Sequence, residues 1–255
     1  MQKVTPKKEL GQHFLNEETI AEKIVNSLSQ NNTNILEVGP GMGVLTQFIL
    51  QQKGINFKVV EIDKESVIYL QKKYPSLHII SGDFLKLNLS EYYNDKLTII
   101  GNFPFNISSQ ILFKILENKE RVIELVGMFQ KEVAERVASK PGKKCYGILS
   151  VLLQAWYDIE YLFTVEENSF TPPPKVQSGV IRMVRNPNKK ICCDETLFRN
   201  VVKTAFNQRR KTLRNSLKCF SFTEGYKENP IFSMRPEQLS VGQFEELCLN
   251  SEKNR

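Results

Sequence analysis

The sequence predicts an α/β protein: a doubly wound, mostly parallel sheet of seven strands, followed by a small all-helical domain at the C-terminal end. Two observations support this prediction. Short apolar segments alternate with helical patterns from residue 34 to residue 185, and a glycine-rich turn follows the first apolar segment. Alternation of strands with helices is typical of right-handed βαβ units in a parallel sheet.

The predicted strands are apolar runs bounded by glycine, proline or polar residues. They cover residues 34–38, 57–62, 77–81, 97–101, 122–129, 159–165 and 179–184. Helical patterns fill the intervals at residues 45–52, 64–73, 107–117 and 131–139. Helix and strand patterns compete at residues 148–155, where we favour a helix.

A polar segment at residues 185–189 interrupts this alternation and contains Pro187, so we place a domain boundary there. The first domain is expected to span residues 1–185 and the second residues 186–255. Three segments of the second domain are predicted to be helical, at residues 197–206, 211–217 and 241–249.

The basic charge of the chain is concentrated in one region. The 255 residues carry a formal net charge of +7. Twelve lysines and arginines and only two acids lie between residues 175 and 219, so this segment carries +10 and the rest of the chain −3. Such a concentration favours an anionic partner such as nucleic acid. The alternative is a solvated helical face.

Composition argues against several other classes of protein. Five cysteines without a Cys-x-x-Cys pair, together with only two histidines, do not favour a disulfide framework or a zinc site, so no metal is expected. The first residues lack the apolar stretch of a signal peptide, and no apolar run is long enough to cross a membrane. We therefore expect a cytoplasmic protein without a membrane partner.

The glycine-rich turn after the first predicted strand contains Gly39, Gly41 and Gly43. Glycines at such a turn let the backbone come close to a ligand. The dinucleotide fingerprint Gly-x-Gly-x-x-Gly would need a glycine where the chain has Val44, and no Walker lysine follows. A cofactor that is held by its phosphate groups is therefore not favoured.

Acidic side chains lie at the carboxyl ends of the next two predicted strands. Glu61 lies about twenty residues after the glycine turn, where a carboxylate can accept hydrogen bonds from both hydroxyls of a ribose. Asp83 follows the third strand and can accept from an adenine amine. Ligands of open α/β sheets lie at the carboxyl ends of the strands, which favours a nucleoside site. The alternative for each acid is a helix cap or a turn residue.

The most informative motif is Asn102-Phe103-Pro104-Phe105, directly after the fourth predicted strand. The Asn102 amide oxygen and the carbonyl of Phe103 or Pro104 can accept hydrogen bonds from an exocyclic amine, while Phe105 offers a stacking face. We expect Phe170 to cover the other face of an unstacked base. The motif is also compatible with an ordinary turn, and Phe170 with ordinary core packing.

Five segments carry a resemblance to a known family: residues 10–15 (LGQHFL), 37–41 (EVGPG), 101–108 (GNFPFNIS), 170–178 (FTPPPKVQS) and 206–214 (FNQRRKTLR). Together they resemble the small-subunit rRNA adenine dimethyltransferases, which are Rossmann-type class I methyltransferases. The resemblance implies S-adenosyl-L-methionine as cofactor. It also implies methylation of the exocyclic amines of two adjacent adenosines near the 3′ end of 16S rRNA, giving N6,N6-dimethyladenosine during ribosome biogenesis.

The resemblance, together with the hydrogen-bonding and stacking groups of the motif at residues 102–105 (the amine clamp), assigns roles to individual residues. The cofactor contacts would be His13, Leu15, Gly39, Gly41, Glu61, Asp83 and Asn102. The catalytic set would be Asn102, Pro104, Phe105 and Phe170. The RNA contacts would be Arg209, Arg210, Lys211 and Arg214, in a second domain that binds 16S rRNA or an assembling small subunit. We expect a monomer, and we expect positioning rather than a dedicated general base to drive transfer.

Three alternatives stay open at this point. The family usually has leucine and tyrosine where this chain has Phe103 and Phe105, and the Asn-x-Pro-Phe form is more similar to macrolide-resistance enzymes that methylate an adenine of large-subunit rRNA. Protein glutamine methyltransferases also use an Asn-Pro-aromatic clamp, but they leave the basic C-terminal domain unexplained. A non-catalytic RNA-binding or assembly factor with this fold is the third.

Overall fold

The structure is a computed structural model that describes residues 4–30 and 32–251. Its strands are β1 Phe14–Leu15, β2 Asn34–Val38, β3 Asn56–Glu61, β4 His78–Ser81, β5 Leu97–Asn102, β6 Val122–Gln130, β7 Tyr157–Val165, β8 Phe170–Thr171 and β9 Ser178–Arg185. Its helices are α1 Glu18–Val25, α2 Thr46–Ile49, α3 Lys64–Lys73, α4 Ser108–Glu117, α5 Lys131–Ala138, α6 Ile148–Gln154, α7 Glu195–Asn207, α8 Leu213–Ser216 and α9 Val241–Leu249.

Seven strands form one sheet in the order β4-β3-β2-β5-β6-β9-β7. β2 pairs in parallel with both β3 and β5, and the pairs β3–β4 and β5–β6 are also parallel. β9 runs antiparallel to β6. The prediction of a seven-stranded, mostly parallel sheet is therefore confirmed.

The strand order places a topological switch between β2 and β5. From β2 the chain moves outward through β3 to β4, and it then returns to the other side of β2 as β5 and continues to β6. Crossovers that leave in opposite directions open a crevice at the carboxyl ends of the two central strands. Val38 and Asn102 end these two strands and therefore face the crevice.

Helices α1 and α2 cover one face of the sheet with a single apolar cluster. Ala21 and Ile24 of α1 are fully buried in this cluster, together with Ile100 of β5 and Val126 of β6. The spacing of three between the two α1 residues puts both on one side of that helix. The cluster holds the central strands, and hence their carboxyl ends, in fixed positions.

Helix α1 and the two-stranded sheet of β1 and β8 are not predicted from the sequence. β1 runs antiparallel to β8, so that Phe14 lies opposite Thr171 and Leu15 opposite Phe170. Strands of two residues are too short to show a periodic pattern. This pairing nevertheless fixes the course of the N-terminal segment in the first part of the chain.

The chain divides into two compact units. The first contains the described residues of Met1–Ala134 and Ile159–Arg185, and the second those of Glu135–Asp158 and Asn186–Arg255. The sequence places the boundary at the same step after Arg185 but assigns residues 135–158 to the first domain. The difference arises because α6, which is buried over most of its length, packs against α7 and α9 of the second unit.

Within residues 4–30 and 32–251, no helix has both the length and the apolar character that a membrane span needs. In the same residues, no group of three or more His, Cys, Asp or Glu side chains is placed to hold a metal ion.

A buried carboxylate fixes the loop after α1 to the sheet. Glu124 of β6 is 2% exposed and accepts hydrogen bonds from the backbone N–H and hydroxyl of Ser29, from the Asn32 amide, and from Arg182 Nε at 2.8 Å. Burial of a charge is tolerated when it is paired and hydrogen-bonded in this way.

Replacing this carboxylate tests its role in stability. We expect Glu124→Ala to lower the free energy of unfolding by about 2–3 kcal/mol, because it leaves the donors of Ser29, Asn32 and Arg182 without their acceptor. Glu120→Ala is the control, since Glu120 is 76% exposed and lies 3.7 Å from Arg185; its effect should stay within about 0.5 kcal/mol. Urea unfolding measures both, and equal effects would contradict the assigned role.

Candidate active site

A pocket of about 290 Å³ opens at the carboxyl ends of the central strands, within the first unit. Five segments contribute to its lining: residues 9–15, 37–45 without Gly43, 60–62, 82–85 and 102–107. The structure therefore brings together nine of the predicted site residues, namely His13, Leu15, Gly39, Gly41, Glu61, Asp83, Asn102, Pro104 and Phe105.

The Asn102 side chain is oriented by residues 7–15, here called the N-terminal strap. Asn102 Nδ2 donates a hydrogen bond to the His13 carbonyl at 2.9 Å. A carbonyl only accepts hydrogen bonds, so the amide nitrogen faces the strap and Oδ1 points away from it. The amide oxygen is therefore held as an acceptor in the wall of the pocket.

His13 fixes the strap to two further elements. Its Nδ1 lies 2.7 Å from the Pro172 carbonyl, so this nitrogen carries the proton and donates it. The imidazole also stacks on the Phe105 ring, with centroids 5.6 Å apart and planes at 30°. One strap residue thus positions both the amide and the aromatic ring of the motif.

Asp63 holds the other end of the strap. Its carboxylate forms an ion pair with Lys7 and also caps α3, where it accepts from the N–H and hydroxyl of Ser66. Burial alone would raise the pKa of Asp63, but the hydrogen bonds from Lys7, Ser66 and Gln12 outweigh it and lower the pKa. The carboxylate that pins the strap is therefore charged at neutral pH.

Glu61 orders the glycine turn and keeps acceptor capacity. It is 3% exposed, and its two oxygens accept from the N–H groups of Gly41 at 3.0 Å and Asp63 at 2.9 Å. Burial raises the pKa of Glu61, whereas these two backbone hydrogen bonds oppose the rise. Each carboxylate oxygen has a second lone pair, so two acceptor positions remain for a ligand.

Gly39 leaves room in the pocket next to Glu61. Its φ of +68° lies in the left-handed region, and a Cβ built there would meet no atom within 4 Å. A side chain at this position would therefore project into open space in the pocket wall. The absence of a side chain keeps that space for a ligand.

Asp83 has the role of a cap as well as a place in the pocket. Its Oδ1 accepts from the Leu85 N–H at 2.9 Å, at the start of a 3₁₀ turn over Phe84–Lys86. Asp83 is therefore a turn residue, as the alternative interpretation of the sequence expected. Its other carboxylate oxygen is a candidate acceptor in the pocket.

Phe170 does not take the position that the sequence led us to expect. It is 3% exposed, does not line the pocket and packs in the apolar cluster with Leu15, Val165 and Val180. The physical reason is the β1–β8 pairing, which places Phe170 opposite Leu15. In this structure Phe170 is a core residue, and the expected second stacking face is not formed.

Glu37 is a pocket residue that the sequence analysis does not identify as functional. It is 1% exposed, lines the pocket and accepts a hydrogen bond from Thr46 Oγ1 at 2.6 Å. Burial raises the pKa of Glu37 to about 8; the Thr46 hydrogen bond opposes the rise and the charge of Glu61 adds to it. The available signal was an acid inside the otherwise apolar strand β2.

The four predicted RNA-binding residues lie in the second unit, and they are not equivalent. Arg209 donates to the Lys144 carbonyl and lies 3.9 Å from a Glu237 oxygen. Arg214 donates to the Lys227 carbonyl at 2.8 Å. The side chains of Arg210 and Lys211 are exposed. Two of the four are therefore involved in contacts within the unit, and two face solvent.

Two solved structures share this fold. A dimethyladenosine transferase from Plasmodium falciparum has a TM-score of 0.79 and 23% identity, covering 93% of this chain and 96% of its own. The 23S rRNA methyltransferase ErmE has a TM-score of 0.71 and 21% identity, covering 92% and 99%. The sheet order, the glycine turn and these neighbours define the fold as that of the class I methyltransferases.

Sequence comparison specifies the family. The family model for ribosomal RNA adenine dimethylases matches residues 4–240. Ribosomal RNA small subunit methyltransferase A is 58% identical over 248 residues in Flavobacterium johnsoniae, covering 96% of this chain and 95% of that relative. Its counterpart in Cytophaga hutchinsonii is 57% identical over 251 residues and covers 97% of both. The chain belongs to the ribosomal RNA adenine dimethylase family, so the predicted family is confirmed.

The raised pKa of Glu37 predicts a pH dependence of stability. Between the ordinary pKa of glutamate and about 8, the folded protein keeps a proton that the unfolded chain releases. The contribution of Glu37 to the free energy of unfolding therefore falls as pH rises through this window and is lost above it.

Urea unfolding at about pH 6 and about pH 9 tests this dependence. The wild-type protein should lose more stability over this range than Glu37→Gln, which resembles the protonated form at both pH values. Glu22→Gln, on the exposed side of α1, should behave as wild type. An identical pH dependence in wild type and Glu37→Gln would show that the Glu37 carboxyl is not protonated in the folded protein.

Proposed function

We propose that the protein transfers methyl groups from S-adenosyl-L-methionine to the exocyclic amines of two adjacent adenosines near the 3′ end of 16S rRNA. The product is N6,N6-dimethyladenosine, formed during ribosome biogenesis. The observation that carries the proposal is the oriented Asn102 amide at the edge of a nucleoside-sized pocket. The family, and relatives described as small subunit methyltransferases, support the choice of rRNA.

The residues of the pocket fit S-adenosyl-L-methionine. Glu61 retains two acceptor positions, which matches the two hydroxyls of a ribose. Gly39 leaves open space beside it, and Asp83, which lines the same pocket, would accept from the adenine amine. His13 and Leu15 would enclose the cofactor from the strap. The bound cofactor would supply an electrophilic methyl group on a sulfonium centre.

Asn102 and Phe103 would hold the substrate amine. The Pro104 carbonyl already accepts from the Ile107 N–H at 3.3 Å, and the Ser108 hydroxyl lies 3.3 Å from it and 3.1 Å from the Phe105 carbonyl. We therefore assign the second acceptor to the Phe103 carbonyl rather than to Pro104. Phe105 would stack on the adenine ring, held by His13 from its other side.

The clamp would act on the geometry of the amine nitrogen. Its lone pair is delocalised into the adenine ring, which makes it a poor nucleophile. Two hydrogen bonds from the amine to the Asn102 and Phe103 oxygens would favour tetrahedral geometry and aim the lone pair at the methyl group. Positioning of this kind can supply several kcal/mol of barrier reduction. Residues 103–109 contain no carboxylate, imidazole or thiol, so water would accept the released proton.

Substitution of Asn102 tests the clamp. We expect Asn102→Ala to lower the rate of methyl transfer by about a thousandfold, because the oriented acceptor is lost, and to change cofactor affinity by less than about tenfold. Asn56→Ala, at the amino end of β3, is the control and should keep wild-type activity. Labelled-methyl transfer into assembling small subunits measures the rate, and calorimetry measures cofactor binding. Full methylation by Asn102→Ala would refute the clamp.

The second unit would bind RNA through its exposed cations. Lys211 and Lys218 both line a polar pocket of about 430 Å³ in this unit. Phosphate contacts from such side chains give affinity without reading sequence, so RNA shape would select the target. An assembling small subunit as substrate would place the enzyme in the cytoplasm. The monomeric state stays a prediction.

The salt dependence of RNA binding tests this surface. Arg210→Ala/Lys211→Ala should reduce the slope of log affinity against log salt by about 2, since two phosphate contacts are lost. Lys53→Ala/Lys72→Ala removes the same charge from exposed positions of the first unit and should leave the slope unchanged. Filter binding over a salt series measures both variants. An unchanged slope for the first variant would mean that these side chains are merely solvated.

A further inference from the structure

The Phe103 side chain is buried, although it belongs to the motif at the pocket. It is 1% exposed and stacks on Phe129 of β6, with ring centroids 4.8 Å apart and planes at 25°. The motif thus contains one aromatic ring at the pocket, Phe105, and one that packs in the sheet. The amine clamp described above uses the carbonyl of Phe103 but makes no contact through its ring.

A pair of glycines makes the place for this ring. Gly101 of β5 lies opposite Gly127 of β6 in the parallel ladder. A Cβ at Gly127 would lie 2.8 Å from Phe103 Cδ2 and closer still to Cε2, and a Cβ at Gly101 would lie 3.1 Å from Cε1. The ring therefore covers the backbone of both strands where no side chain separates it from them.

The side chains of Asn102 and Phe103 are held on opposite faces of the sheet. Successive residues of a strand alternate between faces, so Gly101 and Phe103 share one face and Asn102 lies on the other. Asn102 is bonded to the strap on its own face, through the His13 carbonyl. Phe103 is packed on Phe129 on the opposite face.

The ring also marks the last point at which the chain is held to the sheet. The Phe103 N–H donates to the Met128 carbonyl at 3.1 Å. Pro104 has no N–H, so the ladder cannot continue beyond this bond. Burial of the ring then constrains the direction of the Phe103 carbonyl, which leaves the sheet next to it.

We propose that Phe103 is a positioning residue whose ring, packed on the Gly101–Gly127 pair, sets where the Asn102 oxygen and the Phe103 carbonyl meet the substrate amine. The inference rests on the proposed function, because it concerns the geometry of the same clamp. It requires a match of size: a phenyl ring at position 103 fits only with glycine at position 127. Leucine at position 103 lacks Cε2, the atom that a Cβ at Gly127 would approach most closely, and its Cδ atoms, unlike those of a planar ring, can rotate away from the added methyl group.

Four variants test this match: Phe103→Leu, Gly127→Ala, the double variant, and Ile24→Val as a control for loss of buried volume elsewhere in the same unit. For each, the measurements are kcat and KM for methyl transfer into assembling small subunits, cofactor affinity by calorimetry, and thermal unfolding. Phe103→Leu should lower kcat by about tenfold or more and leave KM and cofactor affinity within about threefold. Ile24→Val should lower thermal stability with kcat unchanged.

The double variant gives the decisive comparison. Gly127→Ala should lower kcat by about a hundredfold or fail to fold. The kcat of the double variant should then be at least about tenfold higher than the value obtained by multiplying the two single-variant effects, because leucine leaves room for the added methyl group. Recovery of folding in the double variant would support the same match. Where neither variant with alanine at position 127 folds, kcat of Phe103→Leu decides.

Two results would overturn the positioning role. The first is a wild-type kcat in Phe103→Leu. The second is a folded double variant whose kcat equals the value obtained by multiplying the two single-variant effects. Both leave the proposed function intact, provided that the wild-type protein methylates adenine and Asn102→Ala does not. Absence of adenine methylation by the wild-type protein would instead refute the proposed function.

Discussion

The parallel pairing of β2 with β5 is the constraint on which the site depends. These strands are adjacent in the sheet, yet the chain between them passes through β3, α3 and β4. The crossovers therefore leave β2 and β5 in opposite directions and cannot cover the carboxyl ends of both. The glycine turn follows one strand and the Asn102 motif follows the other, so their meeting at one pocket is a result of topology rather than of any direct bond between them.

Several side chains in the pocket make a hydrogen bond within the protein and keep an unused acceptor position. Glu61 orders the glycine turn with one lone pair on each oxygen and keeps the others, and Asn102 uses its nitrogen on the strap and keeps its oxygen. Asp83 caps a turn in the same manner. Such bonds fix the orientation of a side chain before a ligand arrives, which reduces the entropy lost when it binds. For Glu61 and Asp83, the sequence is compatible either with a structural role in a cap or turn or with a ligand contact. The geometry allows each side chain to have both roles.

The parts that the sequence predicts are those encoded by local patterns. Apolar runs identify the seven strands, and strand-end acids and glycines identify the pocket residues, because each such feature is contained in a few consecutive positions. The strap, the β1–β8 pairing and the burial of Phe170 depend on contacts between residues more than 150 positions apart, for which a single sequence has no periodic signal. The α6 segment is a similar case: its apolar character is evident from the sequence, but the elements that bury it, α7 and α9, are not.

The lining of the pocket begins at Glu9 and ends at Ile107, so fewer than half of the residues in the chain form it. None of the described residues after α4 lines the pocket. The part of the gene that encodes this wall is therefore contiguous, whereas contacts that position the wall, such as those of the Met128 and Pro172 carbonyls, are encoded further along the chain.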